Sequence, residues 1–224
     1  MQTPGIVLID KHLSASAKTT IPFNTTGLKI ERGKLMSYAD MEKMKAPLKR
    51  YEITDDGISR RPVPGQPNGM YVSTSYEHDE TSFTSETREM RIAQVNKRER
   101  KMKNISEKEI APKFYGEENA DLTIVSWGSN KGMILEAMRF LKSEDINVNF
   151  MHILWIQPFP IKAVNDRLSK AKKVLMIEQN AYGQMRGLIR ELTGHYLENT
   201  LFKYDGRPID PEEICNKVKE VMGK

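Results

Sequence analysis

A glycine-bracketed polar turn, Gly128–Gly132, is the first stretch of this sequence whose residues could do chemistry. Its candidate ligand-binding residues are Gly128, Ser129, Lys131 and Gly132, between a β-branched apolar run and an amphipathic helical pattern. Backbone N–H groups at such a helix start can hold a phosphate, and the lysine adds positive charge. The turn is not a P-loop, because lysine and Ser/Thr do not follow the second glycine. Phosphate binding is one interpretation, and a tight strand-to-helix turn is the other and the favoured one.

A second polar turn follows a later apolar run and contains Glu178, Asn180 and Gln184. Its carboxylate and amides could bind a ligand or carry acid–base chemistry, although no histidine or second carboxylate is near in sequence. The favoured alternative is structural. Asn180 then caps the following helix, while Glu178 and Gln184 bond to backbone or to a subunit interface.

His78 is the histidine of most chemical interest, since Glu77, Asp79 and Glu80 flank it. An imidazole among carboxylates can act as a base or contact a substrate. It can equally hold a loop in place through hydrogen bonds, and this second interpretation is favoured. The four histidines do not have the spacing of a metal site, and His152, inside an apolar run, is predicted to be a core residue. We therefore predict no metal site and assign no catalytic residue.

Composition narrows the classes of protein that remain. The 224 residues include 35 basic and 30 acidic side chains, a net charge of +5 that does not by itself indicate nucleic acid. The single cysteine, Cys215, excludes an internal disulfide, a cysteine-ligated zinc site and a cysteine-held iron–sulfur cluster within this chain. No apolar run approaches the length of a membrane span, and the first residues lack a signal-peptide pattern. A cytoplasmic setting without membrane or nucleic-acid partners is expected.

The basic run Lys97–Lys103 has two interpretations. It could dock an acidic partner or a nucleic-acid backbone, whose binding would weaken steeply with salt. The favoured interpretation is the solvated face of a helix, because no aromatic residues are interleaved and the flanking segments are acidic.

The elements that must position these residues are clearest in the second half of the chain. Buried strands alternate with amphipathic helices, which predicts a mostly parallel doubly wound α/β sheet covered on both faces. In such sheets ligands lie beyond the carboxyl ends of the strands, where both polar turns fall. Strands are predicted around Leu122–Val125 and at Asn147–Ile156, Lys173–Ile177 and Leu201–Tyr204, each followed by a helix, the third closed by Gly194 and the fourth capped by Asp210.

The first half is poorer in apolar runs. Gly5–Ile9, continuing to Asp10, is predicted to be a buried strand with no sheet to join, followed by a short turn or helix between Lys11 and Lys18. The segment 21–118 is predicted to be an irregular linking segment, with helices at Ser37–Lys45 and Ser85–Met102. The domains are thus expected at 1–20, 21–118 and 119–224.

Seven stretches follow one another along essentially the whole chain: IVLIDKHLSAS, RYEITDDGISRRPVPG, SYEHDE with KRERK, WGSNKG, HILWIQPFP, IEQNAYGQM and YDGRPIDPEEI. In this order they resemble the C-terminal part of the α subunit of 2-oxoacid:ferredoxin oxidoreductases, the 2-oxoglutarate type in particular. It implies a complex that converts a 2-oxoacid and coenzyme A to acyl-CoA and carbon dioxide while reducing ferredoxin. It also implies thiamine diphosphate, magnesium and an iron–sulfur cluster in that complex, with the diphosphate–magnesium site and the cluster cysteines on the β subunit.

The resemblance further implies that 119–224 is similar to the C-terminal domain of transketolase. The family's N-terminal thiamine-facing domain carries a Tyr-Pro-x-Thr motif, and we expect only the last strand of that domain here, at 1–20; Tyr51–Asp55 has Glu52 in place of the proline. No catalytic residue and no cofactor are therefore assigned to this chain. We expect it to be inactive alone and to assemble with the missing α domain and the β subunit, reaching ferredoxin through the complex. The alternative is a stand-alone nucleotide- or CoA-binding protein using Gly128–Gly132.

Overall fold

A computed structural model describes residues 1–9 and 11–223 and divides the chain into two compact units, Met1–Asn104 and Ile105–Lys224. The second unit contains the sheet that the sequence predicts. Five strands lie in the order β1-β3-β2-β4-β5, and all neighbours are parallel except β1, which is antiparallel to β3. The strands are β1 (Lys113–Tyr115), β2 (Leu122–Trp127), β3 (Val148–Ile153), β4 (Val174–Glu178) and β5 (Asn199–Phe202).

Helices cover both faces of this sheet, which confirms the predicted α/β architecture. Within β2, Leu122 and Ile124 point into one apolar core and Val125 into the other, because successive strand side chains alternate between faces. The first core is shared with helices α5 and α8 and the second with α6 and α7. The helices of this unit are α4 (Glu107–Ile110), α5 (Lys131–Ser143), α6 (Ile161–Leu168), α7 (Gln184–Thr193) and α8 (Pro211–Met222).

Helix ends follow the sequence signals closely. Gly194 ends α7 in the left-handed conformation, with φ of 78°, which a residue without Cβ adopts at little cost. Asp210 accepts a hydrogen bond from the backbone of Glu212 and forms a capping box with Glu213 at the start of α8, and Pro211 occupies the first turn.

Strand boundaries differ from the predictions at two places, and β1 was not predicted. The strand predicted at Asn147–Ile156 ends at Ile153, and Leu154–Ile156 are exposed ahead of Pro158. The strand predicted at Leu201–Tyr204 begins two residues earlier, at Asn199. β1 is a three-residue edge strand, and so short an element carries no readable periodicity.

The first unit contains little regular structure. Its helices are α1 (Lys11–Ala15), α2 (Tyr38–Glu42) and α3 (Arg88–Met102), the last beginning after Thr87, whose hydroxyl accepts a hydrogen bond from the Met90 backbone. A small apolar cluster of Met36, Met41 and Leu48 is its core. Elsewhere side-chain hydrogen bonds to backbone hold the irregular segments together.

The strand predicted at Gly5–Ile9 is not observed: residues 1–9 contain no strand, and Asp10 lies outside the described residues. Ile6, Val7 and Leu8 are between 82% and 89% exposed. A strand requires a hydrogen-bonded neighbour, and this unit supplies none for these residues.

Candidate functional site

The order of the strands brings the two predicted polar turns together at the carboxyl ends of neighbouring strands. β2 and β4 are neighbours, so the turns that follow them lie side by side. The indole Nε1 of Trp127 donates to Oε2 of Glu178 at 3.1 Å, and the Ser126 hydroxyl donates to the Ile177 carbonyl at 2.7 Å. Polar contacts therefore join the carboxyl ends of β2 and β4, where the two turns begin.

Glu178 is fully buried, and its carboxylate accepts four hydrogen bonds. Besides the Trp127 indole, the donors are Asn180 Nδ2 at 2.8 Å and the backbone N–H groups of Met185 and Arg186 at 2.9 and 3.0 Å. The two backbone donors belong to the first turn of α7, where a negative charge also interacts favourably with the helix dipole. This arrangement favours the structural interpretation, because the carboxylate is occupied by the protein itself.

Asn180 completes the same cap. Its Oδ1 accepts from the backbone N–H groups of Tyr182, Gly183 and Gln184 at 3.2, 2.7 and 3.2 Å. Gly183 has φ of 64°, and a Cβ there would lie 2.5 Å from the ring of Phe202, so only glycine fits. Gln184 is exposed. The backbone N–H groups at the start of α7 are thus bonded to side chains that precede the helix in this chain, Glu178 and Asn180.

The start of α5 is open by comparison. A 3-10 turn at Gly128–Asn130 leads into α5, and neither has a side-chain cap. Gly128, Ser129, Lys131 and Gly132 are all exposed, and a Cβ added at either glycine would meet no atom within 4 Å. The Lys131 ammonium lies 5.3 Å from the centre of the Tyr115 ring. Uncapped N–H groups facing open space remain suited to an oxyanion.

Beneath this turn lies a polar group of Ser126, Asn130 and His152; the sequence predicted only that His152 is a core residue, and His152 is buried. Ser126 and His152 are in register on neighbouring strands, and Asn130 Nδ2 donates to the Ser126 hydroxyl at 3.0 Å. His152 Nε2 is 3.2 Å from the Gly128 carbonyl, and burial lowers the pKa of His152. A neutral ring that donates through Nε2 leaves Nδ1 as an acceptor. His152 Nδ1 and Asn130 Oδ1 are both buried without a hydrogen-bond partner among the described residues.

His78 lies in the first unit and is buried. Its Nε2 is 3.2 Å from both the backbone nitrogen and the hydroxyl of Thr74, and its ring stacks on Tyr51 with centroids 4.2 Å apart. The flanking carboxylates bond elsewhere: Glu77 to Arg91 and Arg98, Asp79 to backbone N–H groups of its own turn, and Glu80 to the Ile53 N–H and Lys49. This geometry favours the predicted loop-holding role.

The basic run Lys97–Lys103 forms the predicted solvated face only in part, because Arg98 and Lys103 are exposed but the other basic residues are not. Lys97 is buried, Arg98 forms an ion pair with Glu77 at 2.8 Å, and Arg100 donates to the Thr54 carbonyl. Most of these charges are therefore used within the first unit.

The iron–sulfur cluster that the resemblance implies does not fit the described residues, which contain no group of three histidine, cysteine, aspartate or glutamate side chains placed to hold a metal ion. Cys215 is buried, and its thiol lies 3.6 Å from the Ala137 carbonyl, so it cannot supply the several thiolates of an iron–sulfur cluster. Within the part of the chain that the structure describes, no helix has the length and apolarity to cross a membrane.

The chain is similar to known proteins of one family. Residues 120–214 match the family model of the pyruvate:ferredoxin oxidoreductase core domain II. The α subunit of 2-oxoacid:ferredoxin oxidoreductase 2 from Aeropyrum pernix is 35% identical over 99% of this chain and 34% of its own length. The corresponding subunit from Saccharolobus solfataricus is 34% identical over 100% of this chain and 35% of its own length.

A solved structure is similar as well. It is the 2-oxoglutarate:ferredoxin oxidoreductase from Magnetococcus marinus with 2-oxoglutarate, coenzyme A and succinyl-CoA bound, with a TM-score of 0.70 and 31% identity over 80% of this chain and 32% of that chain. The present chain thus spans about a third of the length of the relatives that it matches.

Proposed function

We propose that this chain forms part of a 2-oxoacid:ferredoxin oxidoreductase α subunit, to which it is similar over nearly its whole length, and that it serves in assembling that subunit and has no oxidoreductase activity alone. Its partners are then the thiamine-facing α domain and the β subunit. The site geometry agrees with this role, since Glu178, Asn180 and His78 are occupied by contacts within the chain.

The exposure of the apolar segment Ile6–Ile9 is the observation that carries the proposal. These four consecutive apolar residues are between 58% and 89% exposed. Contiguous apolar surface of this kind marks a surface that another polypeptide covers. In the proposed assembly the segment adds a strand to the sheet of the thiamine-facing domain, where its backbone groups gain the hydrogen bonds that they lack here.

The assembled enzyme is proposed to convert a 2-oxoacid, coenzyme A and two oxidised ferredoxins to acyl-CoA, carbon dioxide, two reduced ferredoxins and a proton. We propose 2-oxoglutarate as the substrate, a choice supported by the Magnetococcus marinus relative. We propose, from the resemblance, that thiamine diphosphate, magnesium and the iron–sulfur cluster are held by the partner chains; the single buried cysteine of this chain supports this for the cluster. The cytoplasmic setting stays a prediction.

A reconstitution experiment tests the assembly role. The chain is mixed with a polypeptide carrying the rest of the α subunit and with the β subunit, and complex formation is followed by light scattering and ferredoxin reduction. Replacing Ile6 and Leu8 by aspartate removes two apolar side chains that the proposed assembly buries, which costs about 3–6 kcal/mol of binding free energy and weakens assembly at least ~100-fold. Met70→Asp, at an equally exposed methionine of the same unit, is the matched control and leaves assembly intact.

Two outcomes contradict the proposal. One is catalysis of 2-oxoacid oxidation by the isolated chain. The other is assembly that is equally strong with the double aspartate variant and with the unaltered chain.

A second candidate function rests on the uncapped start of α5. Here the turn Gly128–Gly132 binds a phosphate of coenzyme A or another nucleotide. Coenzyme A then raises the thermal midpoint of the second unit, and Lys131→Ala reduces that shift, whereas Lys142→Ala, on the same helix, does not. Unchanged melting at saturating coenzyme A excludes this candidate.

A further inference from the structure

Positive charge in the first unit converges around the Tyr51 carbonyl. Lys97 is only 6% exposed, and its Nζ donates to this carbonyl at 3.0 Å. Gln94 Nε2 donates to the same oxygen at 2.9 Å. The ion pairs of this unit use other cations, namely Lys34, Lys49, Arg91 and Arg98. Among the described residues, therefore, no carboxylate is within ion-pair distance of the Lys97 ammonium.

Arg50 adds a second cation without a carboxylate partner. Its guanidinium lies 5.5 Å from the centre of the Tyr51 ring and 5.4 Å from that of Tyr71. Its Nε is buried and makes no hydrogen bond to any described residue. A buried guanidinium N–H without an acceptor lowers the stability of the folded unit. An acceptor from outside the unit would remove this penalty.

Lys101 is the third cation of the cluster. Among the residues that the structure describes, its Nζ donates only to the backbone carbonyl of Gln2, at 3.1 Å. Burial, together with the positive charges of Arg50, Lys101 and Arg98, lowers the pKa of Lys97 to about 8, while Glu80 acts in the opposite direction. Glu80 does not neutralise the cluster, because its oxygens already accept from the Ile53 N–H and from Lys49.

We propose that Arg50, Lys97 and Lys101 form a binding site for the oxyanion group of a small ligand, a phosphate or a carboxylate. A planar guanidinium combined with ammonium groups matches such oxygens in both geometry and charge. The anion supplies the acceptor that Arg50 Nε lacks and compensates the buried ammonium. The adjacent faces of Tyr51 and Tyr71 border the same site. This inference goes beyond the assembly role and does not depend on it.

Titration of the complete chain with inorganic phosphate and, separately, with a dicarboxylate at constant ionic strength tests the site. Saturable binding is measured by calorimetry, and the pKa of Lys97 is followed by NMR of the ¹³C-dimethylated lysines. We expect binding of at least one of the two anions, and the pKa of Lys97 rises because a nearby anion favours the charged ammonium. The anion that binds more tightly identifies the ligand class.

Variants separate this site from other basic surfaces. Arg50→Gln lowers the affinity about tenfold or more, the loss of one charged contact. Lys101→Met is expected to lower the affinity in the same way, and it serves as the test variant if Arg50→Gln does not fold. Lys103→Met, at the exposed end of α3, and Lys142→Met, at an exposed position of the second unit, leave the affinity unchanged. The proposal is overturned if neither anion binds saturably, or if binding persists unaltered in both Arg50→Gln and Lys101→Met.

Discussion

Removing the buried carboxylate of Glu178 is expected to destabilise the second unit strongly. Glu178→Ala leaves the Trp127 indole, the Asn180 amide and two backbone N–H groups of α7 without their acceptor. Breaking a buried charged network by deleting one partner costs about 3–5 kcal/mol. Since a domain has only about 5–15 kcal/mol of stability in total, this loss is a large fraction of it.

Glu178→Gln is the more informative variant, because it preserves volume. Three of the four donors bond to Oε2 and one to Oε1. The amide oxygen can replace Oε2, but the amide NH₂ then faces the Arg186 N–H, so one hydrogen bond is lost. We expect a cost of about 1–3 kcal/mol, clearly below that of the alanine variant.

Urea unfolding followed by tryptophan fluorescence measures both effects in the relevant unit. The two tryptophans, Trp127 and Trp155, both belong to the second unit. Gln179→Ala, at the exposed neighbouring position, is the matched control and should unfold like the unaltered chain. A loss below about 1 kcal/mol for Glu178→Ala would refute the capping role, since even one unsatisfied buried donor costs that much.

Three further predictions follow from single contacts. Gly183→Ala destabilises the second unit by about 1–3 kcal/mol or more, because the backbone there is left-handed and the added Cβ collides with the Phe202 ring. The control is Gly187→Ala, at a helix position with open space around it. In the same urea assay it is neutral or stabilises the unit by up to about 1 kcal/mol. Hydrogen bonding from Arg98 lowers the pKa of Glu77 to about 2 from a normal 4.5. The ion pair of Glu77 therefore contributes fully to stability above pH 4.5, and this contribution is lost as the pH falls towards 2. When unfolding is measured across this pH range, Glu77→Gln should lack that part of the pH dependence. Burial raises the pKa of Cys215, so an aromatic disulfide reagent at pH 8 should modify the native chain far more slowly than the urea-unfolded chain, and equal rates would contradict its buried position.

Periodicity predicts the second unit well because its elements are held by apolar faces. The helix positions Ile134, Ala137 and Leu141 are all fully buried, as their spacing indicates. The cap at Glu178 was only partly predictable. Asn180 lies beside its helix in sequence, but the Trp127 indole comes from a strand 51 residues earlier, and only the strand order brings it close.

The first unit could not be predicted in the same way. Its contacts are single hydrogen bonds between distant segments, such as Gln94 to the Tyr51 carbonyl, and these leave no periodic pattern. The burial of Lys97 was not predicted for this reason, because a pattern of basic residues does not reveal which of them is buried. The strand predicted at Gly5–Ile9 shows the converse limit: apolar residues indicate burial, but a strand forms only where a neighbour offers hydrogen bonds.

The shared acceptor at the sheet edge also restricts how this sequence can change over evolution. Trp127 and the first turn of α7 both bond to one carboxylate, although they belong to different elements. Replacing the indole by an apolar ring removes a donor without freeing the glutamate, and replacing the glutamate leaves the indole unsatisfied. The two positions are therefore expected to covary among homologues.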